Sequence, residues 1–308
     1  MMKQKKSILK KGLFLLALGG LTAVSPQAGK LQAQEAAQFS QFFVNRLFYN
    51  PAAINTDGLF RASLTDREQW WGTPSHPSYR LLNASYYFKD KNMGVGMSLH
   101  QWNANIENNV VFKVDYMYCL QVGQDAYINF GVNLGVKRRF LTDGILPNGE
   151  VYISKGDEFN PNMDMGLGIE FHTSEIIAGF SAQNLPIKLG KNPSVDAFHT
   201  YFYFGYNFEL NPDWALLPMV AARIAEKSAN VDVSVRAVYR DMLQFGLVYR
   251  IDALVITAGV NINRNFGLSY AFDANIGRTS KAYKPSHELT LTYRADLKRP
   301  DRPLVPTF

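Results

Sequence analysis

Residues 231–296 decide the fold: VDVSVRAVYRDMLQFGLVYRIDALVITAGVNINRNFGLSYAFDANIGRTSKAYKPSHELTLTYRAD. Apolar and polar residues alternate through successive segments of this stretch, as in Leu243-Gln244-Phe245-Gly246-Leu247. Strand side chains point to opposite faces with a period of two, so each segment has one apolar and one polar face. Connections as short as Ile251-Asp252 and Asn263-Arg264-Asn265 favour hairpins. Strands of about ten residues suit a tilted crossing of a bilayer, so the pattern predicts a membrane β-barrel with a polar interior.

The same alternation extends towards the start of the chain and predicts an all-β, antiparallel outer-membrane barrel of about fourteen strands within residues 59–296. The predicted strands are 59–70, 79–89, 93–102, 109–121, 125–138, 162–172, 175–183, 198–210, 213–223, 229–240, 242–251, 253–262, 265–275 and 287–296. In the clearest of them, 125–138, the apolar side chains point outward and Asn129, Gly131 and Asn133 point inward. Pro218 lacks a ladder donor and predicts a bulge or bend in its strand.

The connections between the predicted strands sort by parity. The even-numbered connections are tight, whereas most odd-numbered ones are long: 71–78, 103–108, 139–161, 184–197, 224–228 and 276–286. Ile251-Asp252 is the exception. Short periplasmic turns and longer extracellular loops are typical of outer-membrane barrels, so this sorting supports the barrel over a soluble sandwich.

The first residues form an export signal. Five lysines precede the apolar stretch 13–21, and a cleavage site after Ala33 makes residues 1–33 the signal peptide, with Ala28 as the alternative site. These residues carry six lysines and no acid, so the formal charge of +6 falls to 26 basic against 26 acidic residues after cleavage. The charge therefore gives no reason to expect a nucleic-acid partner.

Two further segments flank the barrel. Residues 34–58 are rich in aromatic and amide side chains, and predict either a leader at the periplasmic mouth or a plug or docking element. Residues 297–308 carry three prolines and three basic residues, which predicts an extended periplasmic tail. Both terminal segments are expected in the periplasm.

The sequence predicts no catalytic, metal or cofactor site. The five histidines are scattered and form no metal-binding spacing. Ser98 and His100 share an inward face and are the one candidate hydrolase pair, but adjacent inward polar residues are expected in any hydrated lumen. The remaining inward charges predict either an ion-paired lumen or a selective pore lining. They are Lys113, Asp115, Asp164, Glu170, Arg236, Asp273 and Arg294.

Several motifs resemble one known family. Gln38-Phe39-Ser40-Gln41-Phe42, Asn45 and Asn50-Pro51-Ala52 resemble the opening of the PorP/SprF family of type IX secretion membrane proteins. Later landmarks of the family follow in the same order over nearly the whole mature chain. These are Arg67-Glu68-Gln69-Trp70, Gly179-Phe180-Ser181-Ala182-Gln183-Asn184-Leu185 and Ser286-His287-Glu288-Leu289. The chain length and the basic tail favour the PorP branch of this family.

The resemblance implies a non-catalytic outer-membrane component that is needed for export or surface attachment of cargo proteins. It also implies partners: an OmpA-like peptidoglycan-binding protein (PorE), the PorK/PorN ring, secreted cargo and the surrounding lipids. Fourteen strands would be too few to pass a folded cargo domain, because even sixteen-stranded porins leave only a solute channel. The alternative function is a porin-like or lipophilic-solute transporter.

The expected partner contacts fall in three places. They are Gln38, Phe39, Ser40, Asn45, Asn50 and Pro51 in the leader; Arg67, Gln69 and Trp70 after the first strand; and Lys298, Arg299 and Arg302 in the tail. For Arg67 and Trp70 the alternative is a structural role, because an Arg beside a Trp can stack and hydrogen-bond without binding a partner.

Overall fold

A computed structural model describes residues 38–141, 143–145, 151–152, 162–186, 198–225, 228–276, 280 and 283–298. The predicted signal peptide and the tail beyond residue 298 lie outside the described residues. The elements are helix α1 (Arg46–Tyr49), a 3-10 turn (Lys89–Lys91) and seventeen strands. The strands are β1 Phe60–Glu68, β2 Ser78–Phe88, β3 Met93–Ala104, β4 Glu107–Gln121, β5 Tyr127–Leu141, β6 Gly144–Ile145, β7 Val151–Tyr152, β8 Asn162–His172, β9 Ile176–Pro186, β10 His199–Tyr206, β11 Phe208–Asn211, β12 Trp214–Ala225, β13 Ser228–Tyr239, β14 Leu243–Arg250, β15 Ala253–Asn261, β16 Phe266–Asn275 and β17 Ser286–Ala295.

Helices play little part in this architecture. Within the described ranges, no helix has the length and apolar character needed to cross a membrane.

The strands form a closed antiparallel barrel. Consecutive strands of the main sheet pair with each other, except that β5 pairs with β8 and β10 with β12, and β1 pairs with β17 to close the ring. β10 and β11 form one stave that is interrupted at Asn207, and β6–β7 is a separate hairpin in the β5–β8 connection. Counting β10 and β11 as one stave gives fourteen barrel strands, which confirms the predicted fold class.

The two ends of the barrel differ in their connections. The short-turn end carries the links β2–β3, β4–β5, β8–β9, β11–β12, β13–β14 and β15–β16. The long-loop end carries the longer links at 69–77, 142–161, 187–198 and 276–285. Two of the loops predicted to be long, 103–108 and 224–228, are short. β3 pairs with β4 as far as Ala104–Glu107, and β12 with β13 as far as Ala225–Ser228, so pairing takes up most of 103–108 and 224–228.

Pro218 interrupts the pairing of β12 with β10 and β11, but not its pairing with β13. β12 keeps one continuous register with β13, including Pro218 opposite Val235. On the other side, the pairing with β10 ends at Gly205–Met219 and resumes only in β11 at Phe208–Leu216. The predicted bulge is therefore absent from the ladder between β12 and β13. The missing N–H instead leaves a gap in the adjacent ladder.

The outward faces are apolar, as a barrel in lipid requires. On β5, Phe130 and Leu134 are exposed, whereas Asn129 and Asn133 are buried. At the short-turn end, aromatic rings of adjacent strands or strand ends contact one another, as expected at a membrane interface. These contacts are Tyr86–Phe88, Tyr206–Phe208, Trp214–Tyr239 and Phe266–Tyr293. At the long-loop end of β1–β5 the outward positions become polar, with Asp66, Arg80, Gln101 and Arg138.

Candidate functional site in the barrel lumen

Residues 38–58, called here the lumen segment, cross the inside of the barrel. At the long-loop end, the Gln38 side chain donates to Asp232 (3.3 Å) and accepts from Arg223 (3.3 Å). At the short-turn end, Gly58 lies against the side chain of Lys89. The segment therefore runs from the long-loop end to the short-turn end, where β1 begins. It is not a separate segment outside the barrel.

The first attachment of the lumen segment is to buried charges of the wall. The backbone N–H groups of Ser40 and Gln41 donate to the two carboxylate oxygens of Glu288 (2.6 and 2.9 Å). The Ser40 hydroxyl donates to Asp273 (2.7 Å). Arg67 completes the cluster, because it donates to Ser40 Oγ (2.7 Å), Asp273 (2.6 Å) and Glu288 (3.3 Å). All five residues are almost fully buried, so this is an ion-paired attachment shielded from water.

A second group of hydrogen bonds joins the side chains of Gln41 and Asn45 to the wall. Asn45 donates to Thr65 Oγ1 (3.1 Å), and Gln41 Nε2 donates to Thr290 Oγ1 (3.2 Å). Thr65 and Thr290 also contact each other at 3.0 Å. The amides and hydroxyls replace the hydrogen bonds that these groups would make with water, so the segment is specified by polar pairing as well as by packing.

The third attachment lies closer to the short-turn end. Arg46 donates to Glu170 (3.0 Å), which also accepts a hydrogen bond from the Tyr203 hydroxyl. Asn50 Nδ2 donates to the same hydroxyl (3.1 Å) and to the carbonyl of Ile169 (3.1 Å). β8 and β10 thus hold the second half of the segment as β1, β16 and β17 hold the first.

Two wall glycines make room for the segment. A Cβ on Gly131 would lie 2.2 Å from the backbone nitrogen of Ala52, and a Cβ on Gly168 would lie 2.0 Å from Asn50 Oδ1. Next to Gly131, Asn129 Nδ2 donates to the carbonyl of Ala52 (3.1 Å). At this height the wall touches the backbone of the segment directly, which only glycine permits.

Apolar side chains of the segment pack on the wall between these attachments. Phe39 and Tyr49 form a buried cluster with Tyr79, Leu81 and Tyr201 of the wall. The Tyr49 hydroxyl accepts a hydrogen bond from the Phe39 N–H (2.9 Å), so the two ends of the segment's first half are linked. Burial of these rings adds apolar stabilisation to the polar contacts.

The structure places the predicted leader residues in the lumen, where they contact the wall. Gln38, Phe39, Ser40, Asn45 and Asn50 each contact barrel strands as described above, and Pro51 follows them as a buried residue. Their binding to a partner protein stays a prediction.

Gln69 and Trp70 lie in the β1–β2 loop. The Gln69 N–H donates to the carbonyl of Pro77 (2.9 Å). Trp70 has a positive φ of 57° and stacks on Tyr283 at 4.0 Å, and its N–H donates to Ser286 Oγ (3.0 Å). The contacts of Arg67 and Trp70 brace the lumen segment and the loops of β1 and β17, which is the structural role weighed for them above.

Lys298 begins the tail at the short-turn end. Its Nζ donates to Asp90 in the β2–β3 turn (2.6 Å). This hydrogen bond and the positive charge lower the pKa of the Asp90 carboxyl below its usual value. Arg299 and Arg302 lie outside the described residues.

The candidate hydrolase pair faces the lumen segment. Ser98 and His100 are both buried on the inward face of β3, and the His100 ring packs edge-on against Phe48 (5.0 Å) and Phe39 (6.2 Å). Within the described part of the chain, no group of three or more His, Cys, Asp or Glu residues could hold a metal ion.

The wall residues that hold the segment were not predicted from the sequence. Glu288 and Glu170 of the wall bind the segment, and Arg46 of the segment binds Glu170. None of these three was a predicted site residue. Asp273 and Glu170 were predicted to face inward, and an inward carboxylate opposite an amide-rich segment was the available signal. Sequence separations as large as 248 residues, as between Ser40 and Glu288, hid the pairing.

Comparison with known proteins gives one family and several similar barrels. The sequence profile described as "Type IX secretion system membrane protein PorP/SprF" matches residues 31–293. No curated protein matches. Among solved structures, the P. putida toluene transporter TodX has a TM-score of 0.50 at 11% identity, with 81% of this chain and 93% of that chain covered.

Two other solved barrels are similar at lower scores. The Ralstonia pickettii toluene transporter TbuX has a TM-score of 0.46 at 12% identity, with 80% of this chain and 92% of that one covered. The KdgM porin has a TM-score of 0.39 at 11% identity, with 76% and 98% covered. At 11% identity the likeness to TodX establishes the barrel fold alone.

Proposed function

The chain belongs to the PorP/SprF family of type IX secretion system membrane proteins, and on this basis we propose that it is a non-catalytic component of that apparatus. Its barrel acts as a membrane anchor and docking platform for periplasmic partners, and it is required for export or surface attachment of cargo. The length of the chain and its basic tail favour the PorP branch of the family.

The lumen segment is the observation that supports an anchor over a channel. It contacts strands on several sides of the barrel through two buried ion-paired attachments, and its backbone lies directly on Gly131. In a freely permeable pore the inward side chains would be hydrated. Here the buried carboxylates of the wall bind the segment instead. The barrel therefore holds its own N-terminal residues and does not conduct cargo.

Conductance of the purified protein in planar bilayers tests this. The full mature chain is expected to give little steady current, because the segment occupies the lumen. Deletion of residues 38–58 is expected to produce stable channels of the size that fourteen strands enclose. A wide, steady conductance in the intact protein, equal to that of the deletion variant, would contradict the proposal.

The alternative function is a transporter of small or lipophilic solutes. TodX and TbuX are toluene transporters by name, but a likeness at this identity carries only the fold. Flux of a hydrophobic solute through the intact barrel in liposomes, lost on substitution of lumen residues, would favour this alternative.

The tail and the short turns are the proposed docking surface for PorE and the PorK/PorN ring. The six predicted leader contacts lie in the lumen, which leaves Lys298, exposed at the short-turn end, and the basic residues that follow it in the sequence, Arg299 and Arg302, as the proposed contacts. A pull-down from solubilised outer membrane would compare the full chain with one that ends at Asp296. Partners lost with the tail support docking there, and retention by both chains would move the site to the turns.

A further inference from the structure

The lumen cations differ in one respect: whether a carboxylate pairs with them. Arg46 pairs with Glu170, Arg67 with Asp273 and Glu288, and Arg250 with Asp232. Arg236 lies on the inward face of β13 and differs from these three. Among the described residues no carboxylate pairs with it, and its Nη1 donates only a long hydrogen bond to Gln244 Oε1 (3.5 Å). Its Nε is enclosed and has no hydrogen-bond partner there.

The surroundings of Arg236 offer no compensating charge. The guanidinium carbon lies 4.2 Å from the ring centroid of Phe43 in the lumen segment, so one face of the fork is covered by an aromatic ring. The charged group of the described chain that acts on Arg236 is Arg46, which is itself a cation. Because Arg46 is already paired with Glu170, Arg236 is the guanidinium that an oxyanion beside it would meet without a competing carboxylate.

Thr257 lies across one glycine from Arg236 on the inward face of the barrel. Arg236 lies opposite Gly246, which in turn lies opposite Thr257, and the Thr257 hydroxyl lies over this glycine, where a Cβ would be 2.5 Å from Oγ1. The inward residues between Arg236 and the short-turn end, Val238, Gln244 and Asn261, are only half-buried. Solvent therefore reaches the inward face on the short-turn side of Arg236.

An enclosed guanidinium without a counter-ion is unfavourable, because desolvation is not offset by a partner. Its planar fork of donors matches the oxygens of a carboxylate or phosphate. We propose that Arg236, with Gln244 and Thr257, forms a binding site for a small oxyanion, a carboxylate or a phosphate, that enters the lumen from the short-turn end. The bound anion joins β13 to Phe43 and so to the lumen segment.

Thermal unfolding of the purified full chain in detergent tests the site. Inorganic phosphate is expected to raise the midpoint above the value in chloride at the same ionic strength, because the anion binds only the folded state. Arg236→Gln is expected to abolish this increment, and to raise the midpoint in phosphate-free buffer because it removes an uncompensated charge. Arg240→Gln, at an exposed arginine paired with Asp213, serves as the matched control and should keep the phosphate response.

Two further arms complete the experiment. Acetate in place of phosphate identifies whether a carboxylate suffices, because it should reproduce the shift if it does. If Arg236→Gln does not refold, Thr257→Val and Gln244→Ala replace it and should each reduce the phosphate response. No phosphate response in the wild type, or an equal response in the wild type and the Arg236 or replacement variants, would overturn the proposal.

Discussion

The buried ion pairs of Arg67 show what a single residue contributes to this barrel. Replacement by Met would leave Asp273 and Glu288 buried without their cation, so Arg67→Met is expected to cost about 3–5 kcal/mol of unfolding free energy. Arg80→Met, at the exposed pair with Asp66, should cost no more than about 1 kcal/mol. Urea unfolding of the refolded barrel in detergent would measure both, and equal losses would contradict the role of Arg67.

Gly131 gives a second prediction at this scale. Gly131→Ala would place a methyl group against the backbone of Pro51 and Ala52, which cannot move away as a flexible side chain could. Overpacking of this kind typically costs about 1–3 kcal/mol. The shift between folded and unfolded bands on semi-native gels would report it. Gly123→Ala, in a turn, is the control, and a loss of the same size there would show a general intolerance of alanine.

The contacts of individual residues were the least predictable part of the structure. The sequence marked Ser40 and Asn50 as partner contacts, which stays a prediction, but it did not indicate that they bind Glu288 and Tyr203 of the same chain. A residue pattern shows that a polar group needs a partner, and only the closed ring shows which strand supplies it.

The strands were the most predictable elements, because period-two alternation follows directly from strand geometry. The errors have a physical cause. Asn103 and Asn108 read as loop residues, yet they pair with each other at the long-loop end of β3 and β4. The outward positions of β1–β5 are polar there, so the apolar half of the alternation ends before the hydrogen-bonded ladder does.

The attachment of the tail to the β2–β3 turn predicts a pH dependence. The pKa of Asp90 is lowered by Lys298, so the contact is fully formed above the usual carboxyl pKa and is lost as the pH falls through the lowered value. A spin label at Leu297→Cys, in a Cys119→Ala background, should be restrained at neutral pH and mobile in strong acid. Asp90→Asn should give a mobile label throughout, and a label unaffected by either change would contradict the contact.

Sidedness belongs to the whole molecule. The long-loop end is expected at the cell surface and the short-turn end in the periplasm. A membrane-impermeant maleimide should therefore label Ser75→Cys on intact cells, but Gln124→Cys only after the outer membrane is permeabilised. Cys119 is buried and should add little background. Labelling of Gln124→Cys on intact cells would reverse the assignment.

The ring closes between β1, the strand that directly follows the lumen segment, and β17, the last strand that the structure describes. β17 also carries Glu288, which receives the N–H groups of Ser40 and Gln41. The pairing of β17 therefore both closes the barrel and holds Ser40 and Gln41, which lie far earlier in the chain. In a sheet that has not yet closed, the lumen segment lacks its contacts with Glu288 until β17 is in place. A folding intermediate in which β17 is not yet paired would consequently have an open edge at β1 and a lumen segment without its hydrogen bonds to Glu288.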